Sequence, residues 1–114
     1  MHEVSIAESI VDIARDYAGR ENVPLFSAIE LQIGTLSGIE IEALMFAMDV
    51  VCRGTVLEGA EIRIQSVAGR ARCEGCNFEF PVEDQFSPCP ACGELRSSII
   101  SGEELRVSSL LFSE

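Results

Sequence analysis

Along the first fifth of the chain, apolar side chains return every three or four residues. Ile6, Ile10, Ile13 and Tyr17 form the stripe, widened by Ala7, Val11, Ala14 and Ala18, while Glu8, Asp12, Arg15 and Asp16 occupy the other side. That 3.6-residue period predicts an amphipathic helix beginning between residues 3 and 6, with Ser5 and Glu8 placed as a capping box. Gly19 and the run Asn22-Val23-Pro24 end it. From Ala28 to Gly34 the period changes to two: Ile29, Leu31 and Ile33 alternate with Glu30 and Gln32, the pattern of a half-buried strand. Gly34 and Gly38 bracket a turn, and Ser37 with Glu40 predicts a second capping box. A second helix follows, with Ile41, Leu44, Met45, Met48 and Val51 as its buried stripe and Phe46 and Val50 outside it. Gly54 stops that helix.

Strand periodicity returns twice more. Glu61–Ser66 places Ile62 and Ile64 inward, and Leu105 and Val107 alternate with Arg106 and Ser108 before the apolar Leu110-Leu111-Phe112. The simplest assembly is an α/β (α+β) fold with two helices on one face of a small three-stranded sheet. Between the second and third strands lies a different kind of sequence. It reads Cys73-Glu-Gly-Cys76, twelve further residues, then Cys89-Pro-Ala-Cys92.

Two Cys-x-x-Cys pairs across a hairpin-sized loop can bring four thiolates to one tetrahedral ion, the arrangement Zn²⁺ prefers. Twelve residues leave room for two strands and a turn, with Phe78 and Phe80 marking a short aromatic strand. Asn77 and Gly93 directly follow the pairs, and both residue types tolerate the positive φ that turns amides back toward the sulfurs. A zinc ribbon is therefore predicted over residues 69–98, inserted into an α/β domain made of residues 1–68 plus 99–114. The ribbon is too short for a core of its own and depends on the ion. Four thiolates close the metal shell and leave no place for a catalytic water, so the zinc, Zn(II), is structural. Cys52 lies in an apolar helical run and is predicted to be a small buried core residue.

Charge narrows the function. The chain has eight Arg, no Lys and a net charge of −11, which argues against broad phosphate neutralisation and hence against nucleic acid. No apolar run approaches the roughly 20 residues that span a bilayer, and no secretory leader is visible. A cytosolic protein is predicted, where metal-bound thiolates are favoured over disulfides. Hydrolytic chemistry lacks a nucleophile–base pair, since His2 is the only histidine.

His2 has chelating company. The Met1 amine, the His2 backbone nitrogen and its imidazole Nδ1 can close adjacent five- and six-membered rings on one ion, with Glu3 supplying a further donor. A nitrogen-rich, square-planar set suits Ni²⁺ and Cu²⁺. The initiator methionine is expected to stay, because His is not a small second residue. Glu40 and Glu42 are acidic neighbours of this end if the turn before the second helix packs beside it. Their alternative role is as a solvated face at a helix N-terminus.

The opening Met1-His2-Glu3 with Ser5-Ile6-Ala7, Gly34-Thr-Leu-Ser-Gly38, Phe46-Ala-Met-Asp-Val-Val51, Gly54-Thr-Val-Leu-Glu-Gly-Ala60, the paired Cys-x-x-Cys and Gly102-Glu-Glu-Leu105 together resemble the HypA/HybF family. These are nickel metallochaperones of [NiFe]-hydrogenase maturation. The resemblance implies transient Ni(II) cargo at the Met1 amine and His2, with Glu3 nearby, and zinc on Cys73, Cys76, Cys89 and Cys92. It also implies that the chain is not an enzyme, and that its partners are the GTPase HypB and the hydrogenase large subunit, with a homodimer possible; some members also serve urease. Some members carry histidines beside the second cysteine pair, and this chain has none there. A different class, a rubredoxin-like iron protein for electron transfer, shares the Cys-Pro-Ala-Cys-Gly knuckle; iron would make it red, zinc colourless. A zinc-ribbon interaction module is the other alternative.

Overall fold

The computed structural model describes residues 3–113. Its elements are α1 (Glu3–Glu21), β1 (Ala28–Gly34), α2 (Ile41–Val51), β2 (Glu61–Val67), β3 (Arg70–Cys73), β4 (Glu79–Pro81), β5 (Ser97–Ser101) and β6 (Leu105–Leu111). They form two three-stranded sheets, ordered β2-β1-β6 and β4-β3-β5. Both helices and all three alternating strands of the sequence reading are present. The second sheet is spliced between β2 and β6, where the cysteine-rich insertion was expected.

The first sheet is mixed. Glu61 N–H donates to the Ser27 carbonyl at one end and Thr35 N–H to the Val67 carbonyl at the other, so β1 and β2 run parallel. A parallel pair needs a long crossover, and α2 supplies it. Ser27 N–H donates to the Leu111 carbonyl and Gly34 N–H to the Glu104 carbonyl, which makes β6 antiparallel to β1. As the central strand, β1 buries Ile29, Leu31 and Ile33.

The chain divides into two compact units. The first comprises Met1–Leu31, Ile39–Ile64 and Val107–Glu114. Its helices pack on each other. On α1 the buried line is Ala7, Ile10, Val11, Ala14 and Ala18. Ile13 and Tyr17, expected in the stripe, are 50% and 43% exposed instead. Small alanines form the middle of the contact because α1 packs against another helix, and the larger side chains are displaced to its margin. On α2 Leu44, Ala47 and Met48 are buried, whereas Phe46 and Val50 stand outside, as their phase predicts. The expected Ser37 capping box is replaced: Glu40 is the N-cap, and its own carboxylate accepts from Glu42 N–H. Cys52 caps the C-terminal end of α2 and is buried, as the apolar run around it predicts.

The second unit comprises Gln32–Gly38 and Gln65–Arg106. Its core is small: Ala71, Cys73, Phe80, Val82 and Cys89, with Leu36 and Ile99 packed against it. Three glycines permit a close crossing of backbones within it. A Cβ on Gly34 would lie 1.8 Å from the Gly102 carbonyl oxygen, and one on Gly102 would lie 2.5 Å from Gly69 Cα. Gly102 also has φ 108°, a left-handed conformation that side chains resist. Around this crossing Leu36 N–H donates to the Gly102 carbonyl, Gly69 N–H to Thr35 Oγ1 and Val82 N–H to the Gly69 carbonyl.

Candidate metal centre

The ribbon sheet is built around the first cysteine. β3 ends on Cys73 and pairs on one side with β4 and on the other with β5. Ala71 faces Phe80 and Ile99, which buries the apolar side of a four-residue strand. Its other side places Arg72 opposite Glu79, with Nη2 and Oε2 2.8 Å apart. This exposed pair holds the Glu79 carboxyl below its usual range, first through its hydrogen bond to Arg72 and then through the guanidinium charge. The strands therefore lie before and after the cysteine pairs. Of the two strands that the intervening loop has room for, the described residues form one, β4.

The sulfurs of Cys73, Cys76, Cys89 and Cys92 all lie within 4.8 Å of one another. Cys73 Sγ is 3.5 Å from Cys92 Sγ, and Cys76 Sγ is 3.7 Å from Cys89 Sγ. With metal–sulfur bonds of ~2.3 Å, a tetrahedral ion sets its sulfurs roughly 3.8 Å apart. The cage thus has the dimensions of a four-thiolate site before any ion is considered. Cys73 and Cys89 are buried and Cys76 and Cys92 are exposed, so each pair contributes one inner and one outer ligand.

Both pairs use the same backbone device. Asn77 and Gly93 have φ of 64° and 80°. Asn77 N–H donates to the Cys73 carbonyl at 3.0 Å, and Gly93 N–H donates to the Cys89 carbonyl at 2.8 Å. The left-handed residue redirects the next amide toward the outer sulfur: Phe78 N–H serves Cys76, and Glu94 N–H serves Cys92. The inner sulfurs receive two amides each. Gly75 and Cys76 N–H groups lie 3.2 and 3.4 Å from Cys73 Sγ, while Ala91 and Cys92 serve Cys89.

These amides and the crowding of four thiols divide the proton affinities. At Cys89 burial opposes ionisation, but the Cys92 and Ala91 amides and the neighbouring thiols outweigh it and bring the thiol down to about 7. At Cys92 the Glu94 amide favours the thiolate, yet Cys73, Cys76 and Cys89, together with burial, push it up to about 12. At Cys76 the Phe78 amide likewise favours ionisation, while burial and the Cys89 and Cys73 thiols carry the value upward. Without a cation the cage can ionise only in part, because like charges this close oppose each other. A divalent ion removes that opposition, which is the chemical reason such a cage binds one.

Of the residues expected to hold nickel, Met1 and His2 lie outside the described residues. Glu3 is the first residue of α1 and is half-buried. Its Oε2 accepts from Glu40 N–H at 3.3 Å, so the starts of the two helices are tied together there. The turn before α2 therefore does pack beside this end of the chain, and it does so through the backbone of Glu40. The Glu40 carboxylate is engaged in capping its own helix. Sequence reasoning missed Leu36, whose side chain closes the ribbon core from a loop with no periodicity to betray it.

A four-cysteine cage spliced into a two-helix α+β domain is also what related proteins contain. The family model described as hydrogenase/urease nickel incorporation, metallochaperone, hypA matches residues 1–112. The chain belongs to the HypA family. A hydrogenase maturation factor HypA of Geotalea daltonii is 46% identical over 110 residues, covering 96% of this chain and 97% of the relative. One from Chlorobaculum tepidum is 46% identical over 109 residues, covering 96% of each. The solution structure of the Ni metallochaperone HypA from Helicobacter pylori superposes with a TM-score of 0.73 at 21% identity, over 98% of this chain and 97% of that one. At that identity the likeness concerns the fold, and the HypA architecture is the one described above.

Proposed function

We propose that this chain carries Ni(II) for the maturation of [NiFe]-hydrogenase and performs no catalytic reaction itself. Whole-length membership of the HypA family carries this reading. The cargo site is assigned to the Met1 amine and His2, with Glu3 beside them. The Glu3–Glu40 hydrogen bond supports that assignment, because it fixes the third residue to the start of α2 and shortens the free part of the clamp to two residues. Exchange of the ion is expected to depend on pH, since an amine and an imidazole must lose protons to bind it.

The resident ion of the cysteine cage is zinc in this reading, supported by the sulfur spacing and the closed four-thiolate set. Nickel duty falls to residues 1–68 plus 99–114 and the zinc cage to residues 69–98. This functional division follows which residues hold each metal, whereas the compact ribbon unit also takes in residues 32–38 and 65–68. The GTPase HypB and the hydrogenase large subunit are the proposed partners, in the cytoplasm. No helix among the described residues is long and apolar enough to cross a membrane.

The test uses protein with a native N-terminus, because a leading tag would convert the Met1 amine into an amide. His2→Ala is expected to lower Ni(II) affinity at least a hundredfold in equilibrium dialysis while leaving zinc content at one per chain. Undiminished nickel affinity in that variant would overturn the assignment.

A further inference from the structure

The two edges of the first sheet are guarded differently. A free strand edge offers unpaired backbone donors and acceptors, and solitary proteins blunt such edges with charge, proline or a cover. β2 carries Glu61 and Arg63, which pair with each other, and Arg63 also reaches Glu30. β6 is the opposite edge in the order β2-β1-β6, and from Val107 to Ser113 it holds neither a charge nor a proline. That bareness is unusual in a chain whose net charge is −11.

A wall stands beside the bare edge. Ile13 and Tyr17 of α1, half exposed, line an open groove of about 200 Å³ with Val107, Ser108, Ser109 and Leu110. Beyond it Leu111 and Phe112 are 37% and 47% exposed. A helix set against a free strand edge is a geometry that accepts an added strand.

The sequence of the edge indicates which strand. Read antiparallel against itself about Ser109, the segment places Val107 opposite Leu111, Ser109 opposite Ser109 and Ser108 opposite Leu110. Small side chains meet at the centre, apolar ones meet at the ends, and no charge is opposed. Such self-complementarity is what a two-fold interface requires. It also meets the electrostatic constraint on any contact between two copies this acidic, which favours a surface free of carboxylates.

We propose that β6 is the interface for a second copy of this chain. Two β6 strands pair antiparallel across a two-fold axis at Ser109, joining two three-stranded sheets into one of six strands. Ile13 and Tyr17 of each copy cover the seam.

The experiment is sedimentation equilibrium of untagged, zinc-loaded protein across concentrations of order 1–200 µM, where edge contacts smaller than a standard interface associate. The average mass should rise from 12.4 kDa toward twice that value, and rise further with added salt, which screens the repulsion between copies. Ser109→Lys should raise the dimer Kd at least tenfold. Ile100→Lys, on the uncharged edge strand β5 of the other sheet, should leave it unchanged. Ser109→Cys, a gentler change, should cross-link copies through a short bismaleimide above the wild-type background. A mass fixed at 12.4 kDa throughout would overturn the proposal. So would a dimer dispersed by Ile100→Lys and not by Ser109→Lys, or one that Ser109→Cys cannot cross-link.

Discussion

The helical unit and the ribbon unit are each held together, but by different means. In the first, Phe26, Ile29, Leu44, Met48 and Leu57 are at most 1% exposed, and each such side chain contributes about 1.5–3 kcal/mol by leaving water. In the second, two of the five cluster residues are cysteines, so the centre of the core is also the metal cage. Burial of Ala71, Phe80 and Val82 cannot offset the ordering of a segment this long. The comparison teaches that one chain can combine a unit folded by apolar burial with one folded by coordination.

Removing the ion is the harshest test of that difference. A bound structural zinc contributes on the order of 10–16 kcal/mol to a small domain. Chelation with EDTA, or Cys89→Ser, is expected to disorder the ribbon outright. In a two-dimensional NMR spectrum the amides of residues 70–101 should collapse to unfolded positions, while those of α1 and α2 keep their dispersion. Loss of helical circular dichroism on chelation would show that the helices depend on the ion as well, and the contrast would fall.

A second break point is the glycine crossing, where the ribbon unit relies on backbone contact. Gly102→Ala sets a methyl group 2.5 Å from Gly69 Cα and forces alanine to φ 108°. Both terms act together, and a loss of about 3 kcal/mol or more is expected. Gly59→Ala is the matched control, with φ 74° and nothing within 4 Å of the added Cβ. It carries only the left-handed penalty of about 1–2 kcal/mol. Urea titrations of the two variants separate steric from conformational cost. Equal losses would mean that the crossing tolerates a side chain.

How far these features were legible in the sequence follows from their physical origin. Helices and first-sheet strands announce themselves by period, and the cage by spacing, because both are local patterns. The Asn77 and Gly93 turns were legible for the same reason, and the amides do turn back onto the sulfurs. β3 and β5 were not legible. Each has five residues or fewer, and β3 buries only Ala71 and Cys73, too few positions to establish alternation. The displacement of Ile13 and Tyr17 from the α1 core also escaped, since periodicity identifies a face but not which neighbour covers it. Glu40 as N-cap was missed because a Glu that binds the amide two residues on competes with the Ser37 box at the same turn. The parallel pairing of β1 and β2 follows from the crossover through α2, which is a property of chain path rather than of residue pattern.

The smallest expected effect lies at Cys52, which belongs to the helical unit and takes no part in the cage. It is buried at the end of α2, and its thiol is pushed above the ordinary 9.0, first by burial and then by the Asp49 carboxylate. A raised folded-state value means that the unfolded chain loses this proton first as pH rises. The stability involved is therefore complete below pH 9.0 and is lost progressively as pH climbs toward the higher folded value. The cage responds in the opposite sense over the same range, because alkali favours thiolates and hence metal retention. Following helical circular dichroism on heating from pH 8 to 10.5 isolates the first effect. The wild-type melting temperature should fall by a few degrees more than that of Cys52→Ala, which starts lower because it loses a buried sulfur but has no proton to lose there. Parallel alkaline slopes in the two proteins would remove Cys52 from the account and leave the helical unit's pH response to its exposed groups.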